Sequence, residues 1–405
     1  MRVVQKYGGT SVADPERMRS VAEQIARTHR RGDEVVVVVS AMGKGKETDE
    51  LLRLAEDVAG GDRPGREMDM LITAGERKAT ALLCIALHAM GVPADSFTGS
   101  QAGFLTDTNH TNAKILEVRP DRVAEALASG RVPVVGGSQG VSTERDVTFL
   151  GRGGSDTTAV ALAEALKADA CELYTDVSGV FTADPRLVPD ARKMAHVSFD
   201  ELLEMTAAGC PKPAMRSVEF ARNHHVRLHV RSSFTWEVGT WVTEEETMEQ
   251  AIISAVVDDD SEAKVTIAGV PDRPGIAATL FRRLADAHVN VDMIVQNVSE
   301  DGVTDISYTA PKDDLRTSLE ITQALADEIG ATGVTSDAGI ARVSVVGAGM
   351  KSNPGVAATM FETLAGNGIN IEMISTSAIR ISCVIAADQL ERAVVVLHDA
   401  YGLGS

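Results

Sequence analysis

Val35-Val36-Val37-Val38-Val39 is five β-branched residues in succession with no polar interruption. A strand with one wet face alternates apolar and polar residues, so this run belongs inside a parallel sheet covered on both faces. On its N-terminal side, Val3-Val4 leads into a Gly-rich turn and then Asp14-Pro15-Glu16, an N-cap followed by proline at the first helical position. That signal predicts a helix to about His29. On its C-terminal side, similar strands are predicted at Val132–Val135, Glu172–Thr175 and Leu228–Val230. Helices are predicted around Glu50–Val58, Arg77–Met90, Asp121–Leu127, Thr157–Leu166, Phe199–Ala207 and Ser217–Asn223. This alternation predicts an α/β fold, an αβα sandwich on a mostly parallel sheet.

Composition narrows the function classes. The chain has 405 residues, 44% hydrophobic and 24% charged, which excludes global disorder. Its 39 Lys+Arg against 58 Asp+Glu give a net charge of −19. A surface that acidic argues against nucleic acid or an anionic membrane as partner, and makes any local basic cluster informative. Cys84, Cys171, Cys210 and Cys383 lie far apart with no C-x-x-C pair, so neither a disulfide framework nor a protein metal site is expected. No apolar run reaches the ~18 residues that span a bilayer, and Met1–Tyr7 lacks an apolar leader segment. The expected setting is soluble and cytoplasmic.

The composition then shifts. Thr243–Glu249 and Asp258–Glu262 are acidic and flank the short apolar run Ala251–Val257, which reads as linker with one strand. Beyond it the chain repeats. Pro274-Gly275-Ile276-Ala277-Ala278-Thr279-Leu280-Phe281 recurs as Pro354-Gly355-Val356-Ala357-Ala358-Thr359-Met360-Phe361, and Asp292-Met293-Ile294 as Glu372-Met373-Ile374. Two copies are too few for a solenoid, so a pair of small βαββαβ domains is expected. The predicted boundaries are 1–245 for the α/β domain, 263–335 for the first repeat and 336–405 for the second, the last joined by 249–262.

Three Gly-rich segments carry chemistry. Lys6-Tyr7-Gly8-Gly9-Thr10-Ser11 sits between strand and helix, where backbone N–H groups and a lysine can meet a phosphate. Gly151-Arg152-Gly153-Gly154-Ser155-Asp156-Thr157-Thr158 opens a helix with hydroxyls and an acid in its first turn. Thr175-Asp176-Val177-Ser178-Gly179-Val180-Phe181-Thr182-Ala183-Asp184-Pro185-Arg186 follows a strand end. Strand–helix junctions of one sheet are where open α/β folds bind ligands. Thr73-Ala74-Gly75-Glu76 adds an acid at an expected helix start, suited to the dipole or to a substrate ammonium. Gly43-Lys44-Gly45-Lys46-Glu47-Thr48 lacks the G-x-x-x-x-G-K-[ST] spacing and is not a P-loop.

With Ser40-Ala41-Met42-Gly43 and Phe97-Thr98-Gly99-Ser100-Gln101-Ala102-Gly103, these motifs resemble, in order and spacing, those of the aspartokinase family, closest to its lysine/threonine-regulated actinobacterial type. The repeats resemble that family's tandem ACT domains. The resemblance implies the amino-acid kinase fold and ATP- and Mg²⁺-dependent transfer of phosphate to the β-carboxylate of L-aspartate. A carboxylate is already ionised, so such a reaction needs positioning and charge stabilisation rather than a general base. By resemblance Lys6 and Asp156 are catalytic. Ser40, Thr48, Glu76, Arg152, Gly153, Gly154 and Ser155 hold the substrate. Gly8, Gly9, Thr10, Thr175, Asp176, Phe181, Thr182, Asp184, Arg186 and Lys212 hold nucleotide. Mg²⁺ is held by phosphate oxygens and water rather than by a protein cage. Lysine and threonine are the implied effectors, at Asp272, Gly275, Asn290, Asp292 and Gln296 of the first repeat and Asn353, Gly355, Asn370 and Ser377 of the second. The implied assembly is a homodimer or dimer of dimers, with or without an ACT-only subunit.

Four positions depart from the family pattern. Lys44-Gly45-Lys46-Glu47 lengthens the loop that encloses aspartate. Pro211 stands where relatives carry lysine, so Lys212 is expected to supply that contact. Ser138 replaces an aromatic residue in Gly137-Ser138-Gln139-Gly140, and Arg77-Lys78 make the segment after Glu76 more basic. Two further readings follow: a specialised paralogue acting on an aspartate analogue, and a non-catalytic ACT-type amino-acid sensor.

Overall fold

The computed structural model describes residues 1–43, 45–61, 63–235, 237–244, 252–297 and 302–404. The chain forms two compact units. The first comprises Met1–Val180, Lys193–Thr206 and Pro211–Thr247; the second comprises Phe181–Arg192, Ala207–Cys210 and Met248–Ser405. This differs from a simple cut at 245, because two segments of the N-terminal half belong to the second unit.

The first unit is built on an eight-stranded sheet in the order His196–Ser198, Thr240–Thr243, Leu228–Ser232, Ala170–Thr175, Arg2–Tyr7, Glu34–Val39, Val132–Gly136, Ala94–Phe97. Every pairing is parallel except that of Leu228–Ser232 with Thr240–Thr243. The valine run is buried throughout: Val35, Val37 and Val39 pack with Met18, Ile25, Leu83 and Leu87, while Val36 and Val38, on the other face, are equally enclosed. The helix Pro15–Arg30 starts as its sequence predicts, with Asp14 accepting from the Arg17 N–H at 2.9 Å.

Strand order decides where a ligand can sit. The first strand, Arg2–Tyr7, is flanked on one side by Glu34–Val39 and on the other by Ala170–Thr175. The chain therefore leaves it in opposite directions, which opens a crevice at the carboxyl ends. Tyr7, Val39, Gly136 and Tyr174 lie in register across four neighbouring strands. The residues that follow them are Gly8, Ser40, Gly137 and Thr175, so the starts of the predicted motifs converge on one edge. A smaller sheet, Ile115–Val118, Phe104–Thr106, Gln139–Ser142 and Val147–Phe149, stands beside it.

The second unit holds two four-stranded antiparallel sheets. Glu262–Pro271, Ile294–Gln296, Val303–Pro311 and Gly333–Asp337 carry the helices Ile276–Asp286 and Leu315–Ile329 in βαββαβ order. Ile340–Val346, Met373–Thr376 and Arg380–Ala386 carry Val356–Gly366 and Leu390–Ala400, and their fourth strand is Ala255–Asp259. The first module is thus inserted between that strand and the rest of the second. Ala183 and Val188, from Phe181–Arg192, are buried in the second module's core with Val343, Met360 and Leu397. No helix among the described residues is long and apolar enough to cross a membrane.

Candidate active site

Lys6 is carried on the first strand and is nearly fully buried, its Nζ 2.5 Å from Asp156 Oδ1. Asp156 sits in the first turn of Gly154–Ala165 and also accepts the Ala214 N–H at 3.0 Å on Oδ2. Burial alone would raise its pKa. The nearby Lys6 and Lys212 cations and the Ala214 N–H outweigh that and hold the carboxyl below its ordinary value. A Cβ on Gly8 would lie 3.5 Å from Lys6 Nζ, so the glycine keeps the ammonium's surroundings open. Gly153, at φ 72°, caps the helix where a Cβ would meet the Ala214 side chain at 2.5 Å.

Glu76 lies in the helix Gly65–Ala89. It is 4% exposed, and its Oε2 has no hydrogen-bond partner. Burial is the main reason its pKa rises from 4.5 to about 7; the Glu76 and Ala41 backbone N–H groups soften the effect and Glu47 adds to it. Beside it Gln139 is 1% exposed, with Oε1 accepting from the Gly99 N–H at 3.3 Å and Nε2 unpartnered. A Cβ on Gly136 would stand 2.7 Å from Gln139 Nε2 and 3.4 Å from Glu76 Cβ, so both side chains meet over that glycine. An unsatisfied acceptor and an unsatisfied donor side by side suit a zwitterion, since buried polar groups otherwise find partners.

Comparison with known proteins gives the family. Residues 1–232 match the amino acid kinase family, and 264–330 and 343–401 match the ACT domain. The chain is 55% identical to aspartokinase of Mycolicibacterium smegmatis over 99% of its own length and 96% of that protein's. It belongs to the aspartokinase family. Among solved structures, E. coli aspartokinase III in complex with aspartate and ADP matches at 25% identity and TM-score 0.82, covering 99% of both chains. The same enzyme in complex with lysine and aspartate matches at 25% identity and TM-score 0.71, covering 98% of both chains.

Within this aspartokinase-family chain the implied residues fall into groups. Lys6, Gly8, Gly9, Thr10, Ser40, Thr48, Glu76, Arg152–Asp156, Thr175, Asp176 and Lys212 all belong to the first unit. Arg152 is exposed with no ion pair among the described residues, free to swing onto an anion. Thr175 Oγ1 donates to Asp176 Oδ1 at 3.0 Å. Gly9 answers first to space, since a Cβ there would meet the carbonyl oxygens of Gly43 at 2.3 Å and Ala41 at 2.6 Å. Phe181, Thr182, Asp184 and Arg186 belong instead to the second unit. Thr182 is buried, and its hydroxyl is engaged by His398, Leu403 O and the Arg192 N–H, which leaves nothing for a nucleotide. Arg186 is clamped on Asp184 at 2.5–3.0 Å.

Thr73–Glu76 is not a helix start. It lies inside the long helix Gly65–Ala89, so the N-terminal dipole plays no part in holding Glu76. Gly75 is there because a Cβ would press on Ala41 at 2.9 Å.

Among the departures Glu47, Lys78 and Ser138 find partners, whereas Arg77 Nε is buried without one. Lys78 pairs with Glu47, whose Oε2 also accepts the Met42 N–H at 3.1 Å. Ser138, at φ 58°, bonds Ser155 through their hydroxyls at 2.9 Å. Lys44 lies outside the described residues. Gln139 was missed as a site residue; its signal was a polar side chain between glycines directly after the strand Val132–Gly136.

In the second unit a cavity of about 270 Å³ is lined by Asp272, Arg273, Pro274, Gly275, Gln296 and Thr304, among others. It unites three implied effector residues, Asp272, Gly275 and Gln296. Asn290 is exposed and does not line it. Asp292 is paired with Arg342, which removes its carboxylate from a ligand. In the second repeat Asn353 donates to Gly349 O at 2.8 Å, and Gly355 repeats the positive φ of Gly275. Asn370 and Ser377 are exposed.

Proposed function

We propose that the chain transfers the γ-phosphoryl group of ATP to the β-carboxylate of L-aspartate, giving 4-phospho-L-aspartate and ADP. The observation that carries this reading is the unpartnered buried pair Glu76 Oε2 and Gln139 Nε2, set against Gly136 at the same carboxyl end of the parallel sheet that carries Lys6. Glu76 receives the substrate ammonium, while Gln139 and Arg152 receive the α-carboxylate. The β-carboxylate oxygen attacks the γ-phosphorus as the bond to the ADP oxygen breaks. The nucleophile carries no proton at neutral pH, so no base is required. Lys6, held at 2.5 Å by Asp156, places its charge beside the transferring group, and the Gly8 N–H adds a fixed dipole. Lys212, close enough to Asp156 to lower its pKa, supplies the second cation. Thr175 and Asp176 at the neighbouring strand end receive the nucleotide, and Ser40 and Thr48 line the acceptor side.

Mg²⁺ bound to ATP supplies neutralisation of phosphate charge. Asp156 is already shared by Lys6 and the Ala214 N–H, a donor set that fits an ion held by phosphate oxygens and water rather than caged by side chains. The mutual pairing of Glu47 with Lys78 and of Ser138 with Ser155 supports aspartate itself over an analogue. A coupled assay for ADP with L-aspartate and with N- or β-substituted aspartates, run beside Lys6→Ala, tests this. Turnover of aspartate that Lys6→Ala abolishes is expected; turnover of analogues alone would overturn it.

Feedback is proposed through the cavity at Asp272 and Gly275, where the free N–H groups opening Ile276–Asp286 suit an amino-acid carboxylate and Asp272 a cationic group. E. coli aspartokinase III with lysine bound makes lysine, with threonine, the first effector to test. Ile294 and Ile374 are exposed on the edge strands Ile294–Gln296 and Met373–Thr376; we propose these edges as the surface of a homodimer.

A further inference from the structure

The buried His398 belongs to no function described so far. It sits near the end of Leu390–Ala400, fully enclosed, yet its Nδ1 has no hydrogen-bond partner. Its Nε2 lies 3.0 Å from Thr182 Oγ1. That hydroxyl also receives the Arg192 N–H at 2.9 Å and donates toward Leu403 O at 3.2 Å. A hydroxyl has one proton; assigning it to the carbonyl puts the N–H of the imidazole on Nε2. Nδ1 is left with a bare lone pair inside the protein.

A ring nitrogen of His398 and one carboxylate oxygen from each of Asp190 and Asp399 all lie within 4.8 Å of one another. Asp190 is placed by the bridge between Ala191 and Gly404, and a Cβ on Gly404 would crowd its Oδ2 at 2.7 Å. We infer that Asp190, His398 and Asp399 form a binding site for a divalent first-row cation of the Zn²⁺ class.

The donor chemistry supports this. Two carboxylates and a neutral imidazole balance a double charge, and one nitrogen with oxygens suits Zn²⁺ over Mg²⁺ or Ca²⁺. Zinc needs ligands about 2.0–2.2 Å away, hence roughly 3.4 Å from each other. Both aspartates are exposed, so side-chain rotation suffices to close that gap, and water completes the shell. A ligating histidine normally fixes its second ring nitrogen through an N–H donated to a protein oxygen, which is the role Thr182 fills. The ion would tie Phe181–Arg192 to the C-terminal helix, joining segments far apart in sequence inside the second unit.

The test is calorimetric titration of ZnCl₂ into the metal-free full-length protein with Mg²⁺ in excess, beside Asp190→Asn and Asp399→Asn. Both variants alter exposed side chains and retain the buried histidine. Expected are a saturable component of one ion per chain, weakened at least tenfold in either variant, and a rise in Tm with Zn²⁺ that the variants lose. Co²⁺ in place of Zn²⁺ should show visible absorption bands that both variants diminish. Absence of saturable binding, or binding equally strong in both variants, overturns the proposal.

Discussion

Glu76→Gln separates the stability of the site from its use. The carboxyl titrates near 4.5 when unfolded and at about 7 in the folded protein, chiefly through burial. Between those values the native state binds more protons than the unfolded one, so stability falls as pH rises from 4.5 through 7. Above 7 the deficit is complete. A shift of about 2.5 units at 1.36 kcal/mol each amounts to about 3.4 kcal/mol. Glutamine removes that charge but places an amide N–H₂ where Oε2 lacks a partner, a loss of about 1–3 kcal/mol. The net expectation is a gain of about 0.4–2.4 kcal/mol at pH 8 and a loss of about 1–3 kcal/mol near pH 4. The measurement is the urea midpoint of the first unit's transition between pH 5 and 8. It should fall with rising pH in the native protein and stay flat in the variant. In the same variant the KM for aspartate should rise about 30- to 5,000-fold, because a buried ammonium–carboxylate contact is worth about 2–5 kcal/mol. An unchanged KM together with a native pH profile would refute both the assignment and the buried charge behind it.

Asp156→Asn should leave Lys6 buried without its counter-ion; a stability loss of about 3–5 kcal/mol and at least a hundredfold lower kcat are expected, read by denaturant melts and the coupled assay. Gly9→Ala forces a Cβ against two backbone carbonyls at 2.3 and 2.6 Å; about 1–3 kcal/mol of destabilisation with a raised KM for ATP is expected from melts and initial rates. Glu172, held at about 2 by Arg231, His229 and Gln5 against the opposing effect of burial, contributes stability above pH 4.5 that is lost as pH falls through 2. Glu172→Gln should remove about 3 kcal/mol at pH 7 and flatten the acid limb of the unfolding curve.

The parallel sheet was legible because its signal is local: an uninterrupted valine run has few other destinations. So was the tandem repeat, whose Pro-Gly turns recur with the same neighbours. Helix boundaries were harder. Thr73–Glu76 read as a helix start, yet it lies inside Gly65–Ala89, where Gly75 is retained, although glycine weakens a helix interior, because Ala41 leaves no room for a Cβ. Gly9 was read as a phosphate contact for the same reason in reverse. Its first constraint is the packing of two carbonyls, a fact that depends on a residue more than thirty positions away. The defection of Phe181–Arg192 to the second unit carries no local signature at all. Its turns look like any strand-to-loop exit, and the apolar Ala183, Leu187, Val188 and Ala191, packed into the second module's core, record where the segment went.

The departures from the family pattern show what reading positions singly leaves out. Glu47, which the structure places in the first turn of the helix Lys46–Ala59, and Lys78 on Gly65–Ala89 looked like two independent changes; they form one ion pair. Ser138 looked like the loss of a ring and is instead half of a buried hydroxyl pair with Ser155, which neighbours Asp156. A changed residue that satisfies another changed or motif residue leaves the crevice itself as it was. Glu76 Oε2 and Gln139 Nε2 stay buried without partners, and neither residue is a departure. The polar groups without partners, rather than the residues that differ, mark where the substrate belongs.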